Sequence, residues 1–200
     1  MHQPELSKAA SISLVGMPGC GKSTVGKHLA RQLGWAYADS DAEIEREIGL
    51  PIRAFFESRG EGAFRDLEED AIEQLTRRRG LVLATGGGAV LRQNNRRALA
   101  SRTWVIYLRT SPEELFRRLR HDTQRPLLQV DDPLRRLREL FRERDPLYRT
   151  TARYVIDIGR PTVHALVNMV LMQLELAGLI DPTLVPATVG RDPAARISDG

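Results

Sequence analysis

Apolar residues follow two alternating rhythms along this chain: short continuous runs, and longer stretches with helical spacing. The runs Ser11–Val15, Trp35–Asp39, Leu81–Thr85, Thr103–Thr110 and Tyr154–Ile158 are too short for helices. They are built from aliphatic, β-branched and aromatic residues, so each predicts a strand. Between the first two, Val25, Leu29 and Leu33 share one helical face, with Gly34 as the stop. Asp41–Gly49 predicts a helix with acid in its first turn. Phe64, Leu67, Ile72 and Leu75 form an apolar stripe within a helix between Gly60 and Gly80. Ser111 caps the next helix, with Pro112 at its first position. Helical spacing returns over 133–145 and again over 163–178. Strands alternating with helices predict an α/β fold: a five-stranded parallel sheet covered by helices on both faces.

The segments outside this rhythm bound the domain. Residues 121–134 carry two prolines among polar groups and predict a mobile surface loop. Residues 1–10 read as a loose arm, and 179–200, rich in Pro, Gly and Ala, as a disordered tail. A single domain is therefore expected over 11–178, with no internal repeat. A hydrophobic content of 42% in 200 residues supports one well-buried core and at most a smaller lobe beside it.

Composition narrows the partners. No apolar run approaches the ~20 residues that cross a bilayer, so no membrane contact is expected. The N-terminus lacks the basic start and apolar centre of a signal peptide, and Cys20 is the only cysteine, so a cytoplasmic protein without disulfides is expected. The net charge of +4 raises the question of nucleic acid. However, the arginines are scattered beside Glu and Asp on helical stretches, and aromatics at 6% are too sparse for a stacking platform. No nucleic-acid partner is expected. A nucleotide-gated nucleic-acid module remains the alternative from another class, and steeply salt-dependent binding would be its mark.

The chemistry begins at Gly16-Met17-Pro18-Gly19-Cys20-Gly21-Lys22-Ser23-Thr24. With an apolar strand before it and a helix after, the spacing Gly16-x4-Gly21-Lys22-Ser23 is that of a P-loop. Its glycines let backbone N–H groups turn inward around phosphates, and the helix N-terminus adds its positive end. Gly19, Cys20, Gly21, Lys22, Ser23 and Thr24 are thus expected to bind the phosphates of ATP. Lys22 reaches the β and γ groups, and the Ser23 hydroxyl is a ligand for Mg²⁺. All basic residues but Lys8, Lys22 and Lys27 are arginines, so a lysine here fits the need for a slim point charge. Cys20 reads either as a reactive thiol beside a helix N-terminus or as an inert small filler.

Asp39-Ser40-Asp41 closes the second strand and Thr85-Gly86-Gly87-Gly88 the third, at the carboxyl ends that border the ligand crevice of a parallel sheet. Two acids there can hold the water of a metal and bind a hydroxyl; alternatively, Asp39 or Ser40 merely caps the following helix. Three glycines permit close backbone approach to a ligand. Glu68 lies one helical turn after Arg65, where it can hold the guanidinium. Arg125-Pro126 and Arg144-Asp145-Pro146-Leu147-Tyr148 are uninformative singly.

Together these segments resemble the shikimate kinase family. The resemblance is carried by GMPGCGKST, DSD at 39–41, GEGAFRDLEED at 60–70, TGGG at 85–88, QRPLL at 124–128 and RDPLY at 144–148. It spans residues 11 to about 175 in order and spacing. It implies a three-layer P-loop fold of the nucleoside-monophosphate-kinase type, with substrate-binding helices about 41–79 and a lid about 121–134. It further implies Mg²⁺-dependent transfer of a phosphoryl group from ATP to the 3-hydroxyl of shikimate, by a monomer, on the route to chorismate and the aromatic amino acids. By family position, Arg65 and Arg144 clamp the acceptor's carboxylate, Asp41 takes its hydroxyls and Gly86, Gly87 and Gly88 support its ring. Arg125 is the lid arginine over the phosphates, Arg118 lies against adenine, and Arg160 flanks the nucleotide's other side. Catalysis then falls to Lys22, Asp41 and Arg125. No acid ends the third strand, so carboxylate support of the metal falls to Asp39, through water.

Overall fold

A computed structural model describes residues 11–120, 130–159 and 162–184. The expectations for 1–10, most of the loop with Arg125, Arg160 and the end of the tail lie outside these residues. Among the described residues five strands form one parallel sheet: β1 (Ile12–Val15), β2 (Ala36–Asp39), β3 (Leu81–Ala84), β4 (Trp104–Arg109) and β5 (Tyr154–Asp157), in the order β2-β3-β1-β4-β5. The registers Ile12↔Val82 and Ile12↔Trp104 place β1 at the centre. β1 and β3 are buried at every position, which is why they read as continuous apolar runs, whereas the edge strands β2 and β5 keep exposed positions. The chain moves to one side of β1 for β2 and β3, then to the other for β4 and β5. The carboxyl end of β1 is thus the switch point where such sheets bind ligands.

The helices are α1 (Lys22–Leu33), α2 (Ser40–Ile48), α3 (Ile52–Thr76), α4 (Gln93–Arg102), α5 (Pro112–Leu119), α6 (Pro133–Thr151) and α7 (Val163–Leu176). Gly34 ends α1 in the left-handed conformation, and the Ser111 side chain accepts from the Glu114 amide, as the stop and cap signals predict. Four features depart from the sequence reading. The tail expected from residue 179 is instead folded to Leu184, with Leu179 and Ile180 buried in the core and a short helical turn over Pro182–Leu184. α3 begins at Ile52 and crosses a kink at Gly60, whose φ of 80° and ψ of 171° only glycine adopts readily. α4 carries no clear apolar period, because it buries only Asn95, Ala98 and Leu99. α6 runs through Pro146 to Thr151, held by packing of Tyr148 against Tyr107, whose ring centroids are 4.9 Å apart. The main core lies on both faces of the sheet. A separate small cluster of Ile44, Phe64 and Ala71 sits between α2 and α3.

Candidate active site

The loop after β1 is shaped by three glycines with positive φ, Gly16, Gly19 and Gly21. A side chain at Gly16 would meet the Leu108 carbonyl at 2.6 Å, so the loop is pressed against β4. Gly21 caps α1, and the first turn of that helix contains no acid, which leaves its orphan N–H groups open to an anion. Lys22 is buried, and its Nζ donates to the carbonyls of Gly16 (2.8 Å) and Met17 (3.0 Å). The ammonium is therefore held inside the loop by neutral acceptors, and it makes no ion pair among the described residues. Ser23 and Thr24 are exposed at the loop's mouth. Cys20 is 1% exposed and joins the core, and its amide closes a turn onto Met17 O at 3.2 Å. Its Sγ lies 3.8 Å from Lys22 Nζ, so the thiol is buried yet beside a cation.

Asp39 caps α2, one of the two readings the sequence left open, and also ties β2 to the start of α1. Its Oδ1 caps α2 by accepting from the Asp41 amide at 3.1 Å, while its Oδ2 accepts from Ser23 Oγ at 2.7 Å and Tyr37 Oη at 3.3 Å. Asp41 stands one turn into the crevice. Burial, reinforced by the charges of Asp39 and Glu68 and opposed by Lys22, pushes its carboxyl up to about 6.

The three glycines after β3 are each required by a different neighbour. A Cβ at Gly86 would collide with Asp41 Oδ1, at Gly87 would lie 2.5 Å from Pro18, and at Gly88 would collide with Arg65 Nη1. Ser40 Oγ fixes this turn by accepting from the Gly86 amide at 2.8 Å. Arg65 donates from Nη1 to Glu68 (2.7 Å) and from Nη2 and Nε to Glu61 (2.8 and 3.2 Å). Burial pushes the Glu68 carboxyl up, and Arg65 pulls it back toward its ionised form. Arg144 reaches the same turn from α6. Its Nη1 donates to Gly87 O at 3.2 Å, its buried Nε has no partner, and no ion pair reaches it among the described residues. Tyr148 Oη donates to Gly87 O as well, at 2.5 Å.

Asp41, Arg65, Glu68 and Gly86–Gly88 thereby line one cleft of about 580 Å³, walled by Phe56 and Phe64 and roofed toward the phosphate loop by Pro18. A second groove, of about 370 Å³ between α3 and α4, holds none of the predicted site residues, and its Glu69 and Glu73 are already paired with Arg92 and Arg102. Arg118 lies apart on α5, donating to Glu114 and to Gly159 O at 2.7 Å, immediately before the segment where Arg160 falls. Sequence reasoning passed over the structural parts of Ser40 and Tyr148. Both lie inside segments it singled out, but a hydroxyl that braces a backbone turn leaves no spacing signal.

The chemical content is a phosphate cradle facing a cleft whose lining includes a carboxyl tuned upward and the Arg65 guanidinium, with Arg144, which makes no ion pair among the described residues, held against the Gly87 carbonyl beside it. Comparison with known proteins agrees. The family model described as "Shikimate kinase" matches residues 18–175. A shikimate kinase of Paracidovorax citrulli is 57% identical over 92% of this chain and the whole of its own length. One of Ralstonia nicotianae is 53% identical, covering 86% of this chain and 91% of its own. Among solved structures, the shikimate kinase of Acinetobacter baumannii in complex with shikimate superposes with a TM-score of 0.81 at 44% identity, over 88% of this chain and 98% of that one.

Proposed function

This chain belongs to the shikimate kinase family, and on that premise we propose how its residues transfer the γ-phosphoryl group of ATP to the 3-hydroxyl of shikimate. The observation that carries the reading is Arg144, a guanidinium that makes no ion pair among the described residues and converges with Arg65 on the Gly87–Gly88 turn. An acceptor bearing a carboxylate neutralises it, and the planar fork of arginine suits that group. Asp41, across the cleft, accepts from the acceptor's hydroxyls, orients the attacking one and can take its proton. Gly86–Gly88 leave room for the ring beside them.

At the donor half, the amides of Gly19–Thr24 and the α1 dipole hold the phosphates. Lys22 exchanges its two carbonyl partners for β- and γ-phosphate oxygens, which makes its charge available where charge develops. Ser23 and Asp39 present a hydroxyl and a carboxylate within one hydrogen bond of each other, hard oxygen donors of the kind Mg²⁺ takes alongside phosphate and water. When bound, the metal would supply positive charge against the phosphates. With little covalent work to do, positioning and electrostatics carry the rate, so Asp41 need not be a strong base.

By resemblance, Arg125 closes over the phosphates, Arg118 and Arg160 flank adenine, and a single domain over 11–178 carries the reaction as a cytoplasmic monomer. A coupled ADP-release assay with Mg-ATP and shikimate, quinate or gluconate tests the reading. Turnover is expected with shikimate far above the others. Equal turnover with gluconate or a nucleoside monophosphate would overturn it.

A further inference from the structure

We propose that Glu61 is a built-in placeholder for the acceptor's carboxylate and thereby sets how strongly the site favours an acidic acceptor; this rests on the acceptor reading above. Arg65 offers two edges. Nη1 is held by Glu68, whose side chain is 1% exposed, so that partner is permanent. The Nε–Nη2 edge, the one that grips a carboxylate with two parallel donors, is held by Glu61, whose side chain is 62% exposed. The buried Glu68 fixes the guanidinium, while the exposed Glu61 occupies its open fork. That contact is screened by solvent and easily exchanged.

The backbone around Glu61 supports exchange. Glu61 follows Gly60, the break in α3, and precedes Gly62, and a Cβ at either glycine would touch nothing within 4 Å. The charges also close. Empty, Arg65 is ion-paired with Glu68 and Glu61, whereas Arg144 forms no ion pair among the described residues and feels Glu68 only at longer range. An incoming carboxylate displaces Glu61 into solvent and lies between the two guanidiniums, which meet at Gly87 and Gly88. A neutral acceptor has nothing with which to displace it. The apparent affinity for an acidic acceptor is lowered by the fraction of molecules whose fork is free, and removing the placeholder raises it.

The test measures binding of shikimate and of its methyl ester to the full chain by calorimetry, for the wild type, Glu61→Gln, Glu61→Ala and Asp66→Asn. Asp66 is an exposed acid of the same helix that pairs with Arg92 instead, so it controls for general charge. Both Glu61 variants are expected to bind the acid about two- to fivefold more tightly, the range an exposed ion pair supplies. Methyl ester binding and the Asp66→Asn variant should be unchanged, and the gain should shrink at high salt. Unchanged or weaker acid binding in the Glu61 variants overturns the proposal, as does an equal gain in Asp66→Asn or for the ester. Wild-type protein that binds shikimate without turning it over would instead sink the kinase reading, and the affinity comparison would still decide the placeholder.

Discussion

Asp41 shows how one carboxyl ties burial to reactivity. Its pKa stands at about 6 against an ordinary 3.8, so the native state holds the proton more tightly than the unfolded chain does. The stability this contributes is complete below the ordinary value and is lost as the pH rises through about 6. At pH 7.5 the ionised group is therefore a strain on the fold, of ~1–3 kcal/mol. Asp41→Asn should be more stable than the wild type by that amount at pH 7.5, and no more stable at pH 4; thermal melts at both pH values decide this. Only the ionised group can take the hydroxyl's proton, so wild-type kcat/KM should fall tenfold per unit of pH below about 6, where the free enzyme's group titrates. The Asn variant, weaker by roughly 10² or more, should lose that limb. A wild-type profile flat from pH 8 to pH 5 would remove Asp41 from the reaction.

At the scale of elements, the site is an agreement among α1, α2, α3, α6 and the turn after β3. The anchoring of α6 is the least obvious part. Asp145, next to Arg144, accepts from Tyr107 Oη at 2.8 Å and Arg109 Nε at 3.1 Å, both on β4, and from Arg149 on its own helix. These bonds fix the turn that aims Arg144 at Gly87. Tyr107→Phe keeps the ring packed on Tyr148 and deletes one of them. It should cost about 1 kcal/mol of stability and raise the acceptor KM about three- to tenfold with kcat changed less than twofold. Equal losses in kcat and kcat/KM would mean that the bond serves the transition state instead. The strands and most helices were legible from apolar spacing because burial imposes it. α4 was not: it covers the structure with two small apolar contacts and a buried Asn95, too little to imprint a period. The start of α3 was hidden by Gly60, which reads as a stop but here bends a helix that continues.

Across the whole molecule, the donor half was legible because a phosphate cradle needs fixed residue types at fixed spacing. The acceptor half was legible only through the resemblance, since its parts come from four distant segments that the sheet order brings together. What no spacing conveys is that part of the acceptor half rests on a core of its own. The phosphate loop grows from β1, inside the main cluster, whereas Arg65 and Glu68 stand on the stretch of α3 that packs Phe64 and Ala71 with Ile44 of α2 in the small cluster, and α3 joins the main cluster only further on, at Ile72 and Leu75. Local stability follows apolar burial, so the α2–α3 unit should open more often than the sheet. Shikimate binds the closed arrangement and should suppress that opening by mass action. Amide exchange is therefore expected to be faster over Ile44–Phe64 than over β1, β3 and β4 in the free protein. Shikimate should slow it about tenfold or more over α2 and α3 while leaving the central strands nearly unchanged. Uniform slowing over all elements would mean that the protein opens as one unit, with the acceptor cleft as firmly built as the cradle.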